Sequence, residues 1–130
     1  MWAELNVSEL IGVTLASVAN LHDDVLVFTA TDGRQWALQH EQDCCESVRI
    51  VDVCGDLSDL VDTPILVAEE VSNADFGPPQ YDYEPESYTW TFYKFGTIRG
   101  SVTVRWLGES NGYYSESVDF MLIQDGEKHE

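Results

Sequence analysis

The stretch Tyr88-Thr89-Trp90-Thr91-Phe92-Tyr93-Lys94-Phe95 is followed, after Gly96–Gly100, by Ser101-Val102-Thr103-Val104-Arg105-Trp106, and this pair of runs decides the fold class. β-Branched and aromatic residues dominate both runs. Thr89 to Tyr93 and Val102 to Trp106 alternate with period two, as strands of a half-buried sheet do. The glycines between them mark a turn. The same rhythm recurs at Val13–Asn20, Val25–Thr31, Gln35–His40, Val48–Val53, Ile65–Val71 and Ser117–Ile123, so about eight strands are expected. Asp32-Gly33, between two such runs, predicts a type I′ hairpin turn, and Asn111-Gly112 is a weaker signal of the same kind. Two short helices are expected. One starts near Asn6 or Ser8 and carries Leu10 and Ile11; the other starts near Asp56 or Ser58, carries Leu60 and Val61, and stops at Pro64. The fold class expected is α+β, mostly antiparallel β with two short helices.

Self-comparison adds an organisational reading. Ser8-Glu9-Leu10-Ile11 recurs as Ser58-Asp59-Leu60-Val61, and Cys44-Cys45-Glu46-Ser47-Val48 echoes Tyr113-Tyr114-Ser115-Glu116-Ser117-Val118 with one extra residue. The expectation is a duplicated unit of one helix and four strands, spanning residues 6–53 and 56–123 of a single domain. The second copy carries an insertion, residues 72–87, with Gly77-Pro78-Pro79 and Tyr81-Asp82-Tyr83-Glu84-Pro85-Glu86. Its prolines forbid a helix and discourage central-strand pairing, so an exposed extended loop or edge is expected.

Composition narrows the function classes. The chain has 130 residues, 6 Lys+Arg against 24 Asp+Glu, and a formal net charge of −18. With 44% hydrophobic residues it can bury a core. No apolar run approaches the roughly 18 residues that a spanning helix needs. The first thirty residues lack the basic start, apolar stretch and cleavage site of an export signal, so a cytoplasmic protein is expected. Three cysteines, Cys44, Cys45 and Cys54, then read as reduced thiols. A sequence pI near 4.1 argues against direct nucleic-acid binding, which needs Lys and Arg.

The usual catalytic patterns are weak here. His40, Cys44, Cys45 and Cys54 are metal-capable, but the spacing His-x3-Cys-Cys-x8-Cys is not that of zinc knuckles, and no metal is expected. A Cys44 or Cys45 nucleophile with His40 as base, oriented by Asp43 or Glu41, lacks a glycine-rich oxyanion loop. The surrounding carboxylates would also raise the thiol pKa. Asp56-x2-Asp59-x2-Asp62 has helical spacing, not that of a calcium loop. Phosphate-cradling glycine motifs are absent, and no cofactor is expected.

The acids concentrate in three stretches, led by Glu41 to Asp62, Glu69 to Glu86, and Glu109 to Glu130. Asp82, Glu84 and Glu86 alternate; in an extended chain they share a face and recur about every 6.6 Å, comparable with successive phosphates of a nucleic acid. On a helix, Asp56, Asp59 and Asp62 would also fall near one face. Such surfaces compete for basic clefts that otherwise hold DNA or RNA. Tyr81 and Tyr83 beside these carboxylates give a composition typical of protein-binding hot spots. The bland alternative is a purely solvating surface.

Gln42-Asp43-Cys44-Cys45-Glu46-Ser47-Val48, Gly55-Asp56-Leu57-x-Asp59-Leu60, Thr89-Trp90-Thr91-Phe92-Tyr93 and Glu109 to Glu116 resemble a family of small acidic phage and prophage proteins over roughly residues 8–120. No activity attaches to that family, so no functional residue carries over. The resemblance implies a viral or mobile-element setting. By analogy of charge and size it suggests the class of anti-CRISPR and anti-restriction inhibitors.

The function expected is therefore a non-enzymatic, phage-encoded inhibitor of a host defence system, acting in the host cytoplasm. Its acidic surface, through Asp56, Asp59, Asp62, Tyr81, Asp82, Tyr83, Glu84 and Glu86, would occupy the basic groove of a nucleic-acid-binding protein or defence complex. Two alternatives stand beside it. One is a small-ligand-binding or thiol-using protein with a site at the His40–Cys45 loop, facing its counterpart at Asn111–Glu116 if the halves pair. The other is a structural protein with merely solvating charge.

Overall fold

The computed structural model describes residues 5–40, 46–72, 87–110 and 116–125, apart from the side chains of residues 87, 124 and 125. Its strands are β1 (Leu15–Leu21), β2 (Val25–Ala30), β3 (Arg34–Gln39), β4 (Ser47–Cys54), β5 (Val67–Ser72), β6 (Ser87–Thr97), β7 (Gly100–Ser110) and β8 (Asp119–Asp125). Each falls on one of the alternating or β-branched runs of the sequence. All pairings between strands are antiparallel.

The expected helices are shorter than a helix. Val7–Leu10 and Leu57–Leu60 are each a single four-residue 3-10 turn, and no α-helix occurs among the described residues. The architecture is therefore antiparallel β rather than α+β. Each turn is stopped one residue after its apolar anchor, Leu10 or Leu60, by a cap in extended conformation. One turn suffices to bury that leucine completely.

The strands form two sheets, ordered β1-β2-β3-β8 and β4-β7-β6-β5. Each contains a three-strand meander closed by the strand that follows the other meander. The four strands of a sequence half thus do not share one sheet: β4 leaves the first half to pair with β7, and β8 leaves the second to pair with β3.

The core lies between the sheets. Phe28 of β2 meets Phe95 of β6 at 5.3 Å between ring centroids and Phe120 of β8 at 6.1 Å. Trp36, Leu38, Ile50, Tyr93, Val104 and Trp106 complete the same buried cluster. On β6 the core face is Thr91, Tyr93 and Phe95, while Trp90, buried on the opposite face, lies under the Arg105 guanidinium at 5.2 Å. The Trp90/Phe92 side of the alternation is therefore the outer side, with cation–π cover in place of a second sheet.

Turn chemistry also differs from the sequence expectation. At Asp32-Gly33 only Gly33 has positive φ (100°), and its N–H closes on the Ala30 carbonyl at 3.1 Å. This is a type I turn followed by a left-handed glycine, the three-residue hairpin loop. The turn with two positive-φ central residues lies at His22 (58°) and Asp23 (62°), closed by Asp24 N–H on the Leu21 carbonyl. Asn20 stabilises it by accepting from Asp23 N–H and donating to Asp23 Oδ1, both at 3.0 Å. No helix is long and apolar enough to cross a membrane among the described residues.

Candidate functional site

The segments that flank the Cys44-Cys45 and Tyr113-Tyr114 motifs meet at one end of the molecule. His40, just after β3, sends Nδ1 to the Ser117 carbonyl, just before β8, at 2.7 Å. A carbonyl only accepts, so Nδ1 carries a hydrogen. Nε2 lies 2.6 Å from Glu46 Oε2, within hydrogen-bond distance. His40 and Glu46 are six positions apart, as are Ser110 and Glu116, where the Ser110 hydroxyl donates to Glu116 Oε2. Thr89 Oγ1 donates to Glu116 Oε1 at 2.7 Å. Beside them Arg49 holds Glu109 at 3.1 Å and donates to Ser47 Oγ at 3.0 Å.

This cluster is an interior brace. The side chains of His40 and Glu46 are 4% and 0% exposed, and both ring nitrogens are engaged. His40 has no nitrogen available to take a thiol proton without first breaking one of those bonds. Cys44, Cys45, Glu41 and Asp43 lie outside the described residues. Among the described residues no group of three or more His, Cys, Asp or Glu could hold a metal ion. Cys54 is exposed, and its thiol is pushed above the usual range first by its hydrogen bond to Asp52 and then by the charge of that carboxylate. It is a poor nucleophile.

Of the acidic residues expected to bind a partner, Tyr81, Asp82, Tyr83, Glu84 and Glu86 lie outside the described residues. Asp56, Asp59 and Asp62 do not share a helical face, because the helix that would align them is a single turn. Asp56 is its N-cap, accepting from Ser58 N–H at 3.0 Å and Ser58 Oγ at 2.8 Å. Those bonds, the backbone one first, hold its carboxyl below the usual range. Asp59 is half-buried, with its carboxylate against Gly100. Asp62 is exposed, with φ 71°, and its N–H donates to the Leu15 carbonyl at 2.8 Å.

Each of the four arginines is engaged within the protein. Arg34 is bonded to Asp32 at 2.9 Å and lies over Trp36 at 5.1 Å. Arg49 is on Glu109. Arg99 donates to the Val61 carbonyl at 3.2 Å. Arg105 reaches Asp52 at 3.6 Å and covers Trp90. Glu9, Asp23, Asp24, Asp62, Glu69 and Glu70 meanwhile face solvent. Glu69 and Glu70 open the second acidic stretch of the sequence; their place on an outermost strand follows only from the sheet order.

Residues 8–120 match the family described as Domain of unknown function (DUF7448). No curated protein and no solved structure matches the chain.

Proposed function

The chain belongs to the DUF7448 family, and we propose that it is a non-enzymatic protein that binds a basic partner through its acidic surface. The observation that carries this reading is the disposition of charge: the four arginines are engaged internally, while carboxylates exceed cations by 24 to 6 and Glu9, Asp23, Asp24, Asp62 and Glu69 are exposed. A surface of one sign steers association with the opposite sign. In the phage or prophage setting that the sequence motifs resemble, the partner is a basic host nucleic-acid-binding protein or defence complex in the host cytoplasm. Occupying its groove would make the protein an inhibitor of anti-CRISPR or anti-restriction type. Asp82, Glu84 and Glu86, with Tyr81 and Tyr83, are the residues assigned to the contact, supported by Asp59 and Asp62.

The engagement of both His40 nitrogens weighs against a thiol-using site at the His40–Cys45 loop. The reading also includes a duplicated ancestry. Gly12 N–H donates to the Ile65 carbonyl and Asp62 N–H to the Leu15 carbonyl, both at 2.8 Å, and these bonds exchange under the match of Ser8–Ile11 to Ser58–Val61. Asn6 and Asp56 cap the two turns in the same way.

The test is capture from bacterial lysate on the immobilised chain at low salt and at several hundred millimolar salt. A basic nucleoprotein retained at low salt, released at high salt and displaced by DNA is expected, because screening at about 0.1 M already shortens the Debye length to about 10 Å. Replacing Asp82, Glu84 and Glu86 with Lys should abolish capture. Capture indifferent to salt and to those replacements would overturn the reading.

A further inference from the structure

Where β3 leaves the Asp32-Gly33 turn, a cavity of about 330 Å³ is lined by Leu5, Glu9, Arg34, Trp36 and Leu122, all of them among the described residues. Trp36 of β3 and Leu122 of β8 are cross-strand partners on the core side of their sheet. Leu5 runs alongside β8, its N–H donating to the Phe120 carbonyl at 2.7 Å. Glu9 belongs to the Val7–Leu10 turn; Val7 and Leu10 are buried, and Glu9 is exposed. The floor of the cavity is therefore apolar, and its two charged groups come from separate elements.

Both charged groups keep bonding capacity. Arg34 meets Asp32 through its backbone N–H at 3.1 Å and through Nε at 2.9 Å, and its guanidinium lies 5.1 Å over the Trp36 ring. Its two terminal nitrogens have no partner among the described residues. A guanidinium carries five N–H donors, so one edge can hold Asp32 while the other receives a second carboxylate. Glu9 makes no ion pair or side-chain hydrogen bond among the described residues. A purely anionic guest would be repelled by Asp32 and Glu9, and a purely cationic one by Arg34. A guest with both charges answers both groups.

We infer that this cavity binds a small zwitterion with an apolar body, an α-amino acid of the leucine type. Its carboxylate takes the terminal nitrogens of Arg34, its ammonium takes Glu9, and its side chain packs against Trp36, Leu5 and Leu122. The volume lies at the low end of the roughly 300–1,000 Å³ typical of ligand pockets, which suits a single amino acid. A zwitterion has no net charge, so the formal charge of −18 neither draws it in nor repels it. Its binding is accordingly insensitive to salt, unlike that of a basic partner on the acidic surface. The two sites are independent, and either can fail without the other.

The probe is L-leucine, titrated into the intact chain and read by the amide shifts of Glu9, Arg34, Trp36 and Leu122 and by the Trp36 indole N–H. Glycine, isocaproate and isoamylamine remove in turn the apolar body, the ammonium and the carboxylate. The expected result is saturable binding of leucine in the millimolar range, unchanged between low and several hundred millimolar salt. Each of the three comparators should be weaker by about tenfold or more. Glu9→Gln should weaken leucine by about tenfold and leave isocaproate no weaker, since only the ammonium uses that carboxylate. Because Glu9 is exposed, the variant should keep the wild-type thermal midpoint, so that loss of binding is not loss of fold. Shifts that never saturate would overturn the inference, as would equal affinity for leucine and for isocaproate or isoamylamine. Leucine binding that is lost in high salt would overturn it as well, because a neutral guest gives screening nothing to act on.

Discussion

His40 and Glu46 meet in the interior, Nε2 to Oε2 at 2.6 Å, with both side chains almost wholly shielded from water. Through its other nitrogen His40 also ties the end of β3 to the start of β8. Removing one member leaves a buried polar group without its partner, which typically costs about 3–5 kcal/mol. His40→Ala and Glu46→Ala should each destabilise on that scale in urea unfolding. The double variant should lose clearly less than the sum. An additive cycle would show that the two groups are not coupled.

Trp106 is fully buried, and its indole N–H has no hydrogen-bond partner among the described residues. Truncation to Ala should cost about 3–5 kcal/mol through lost burial and the cavity left behind. Trp106→Phe should cost much less, since it removes an unsatisfied buried donor along with the volume. Comparable losses for both variants in denaturant titrations would show that the N–H is satisfied in solution.

Gly12 (φ 90°) and Asp62 (φ 71°) occupy corresponding left-handed positions after the two 3-10 turns. Nothing lies within 4 Å of where a Cβ on Gly12 would sit, so a substitution there reports the backbone alone. Gly12→Ala should cost about 1 kcal/mol, and Gly12→Asp less, because Asp tolerates the left-handed region better than Ala. Thermal unfolding of the two variants decides the order.

Asn6 and Asp56 cap their turns alike, but only Asp56 titrates. Its folded pKa lies below the ordinary carboxyl value of 3.8, so its contribution is present above that pH and is lost as pH falls through the lower folded value. The stability gap between wild type and Asp56→Ala should close on acidification below pH 3.8. The gap for Asn6→Ala, about 1 kcal/mol, should not change with pH. Urea titrations of the three proteins at pH 7 and pH 3 measure both gaps.

The hydrogen bond to Asp52 and then the charge of that carboxylate raise the pKa of the Cys54 thiol. In a Cys44→Ser/Cys45→Ser background, Asp52→Asn should therefore speed alkylation of Cys54 at pH 8 several-fold, since the thiolate is the reacting form. An unchanged iodoacetamide rate would remove Asp52 as the controlling group.

The residue runs alone determined that this chain makes strands, and where. Period-two alternation and β-branched enrichment are local properties, and all eight strands fall on them. The sequence also marked the two capped turns and the recurring Glu46 and Glu116 segments. It did not determine turn length, because one 3-10 turn and a short helix share the same capping and anchor residues. It did not choose between the two aromatic faces of β6, because both were apolar enough to bury. Sheet membership lay further out of reach: the exchange of β4 and β8 between meanders is a long-range pairing, settled by which edge each strand can complete. The same tertiary arrangement engaged both His40 nitrogens, occupied the arginines and left Glu69-Glu70 on an outermost strand. Charge is written in the composition, but which charges reach solvent is decided only when the sheets close on their core.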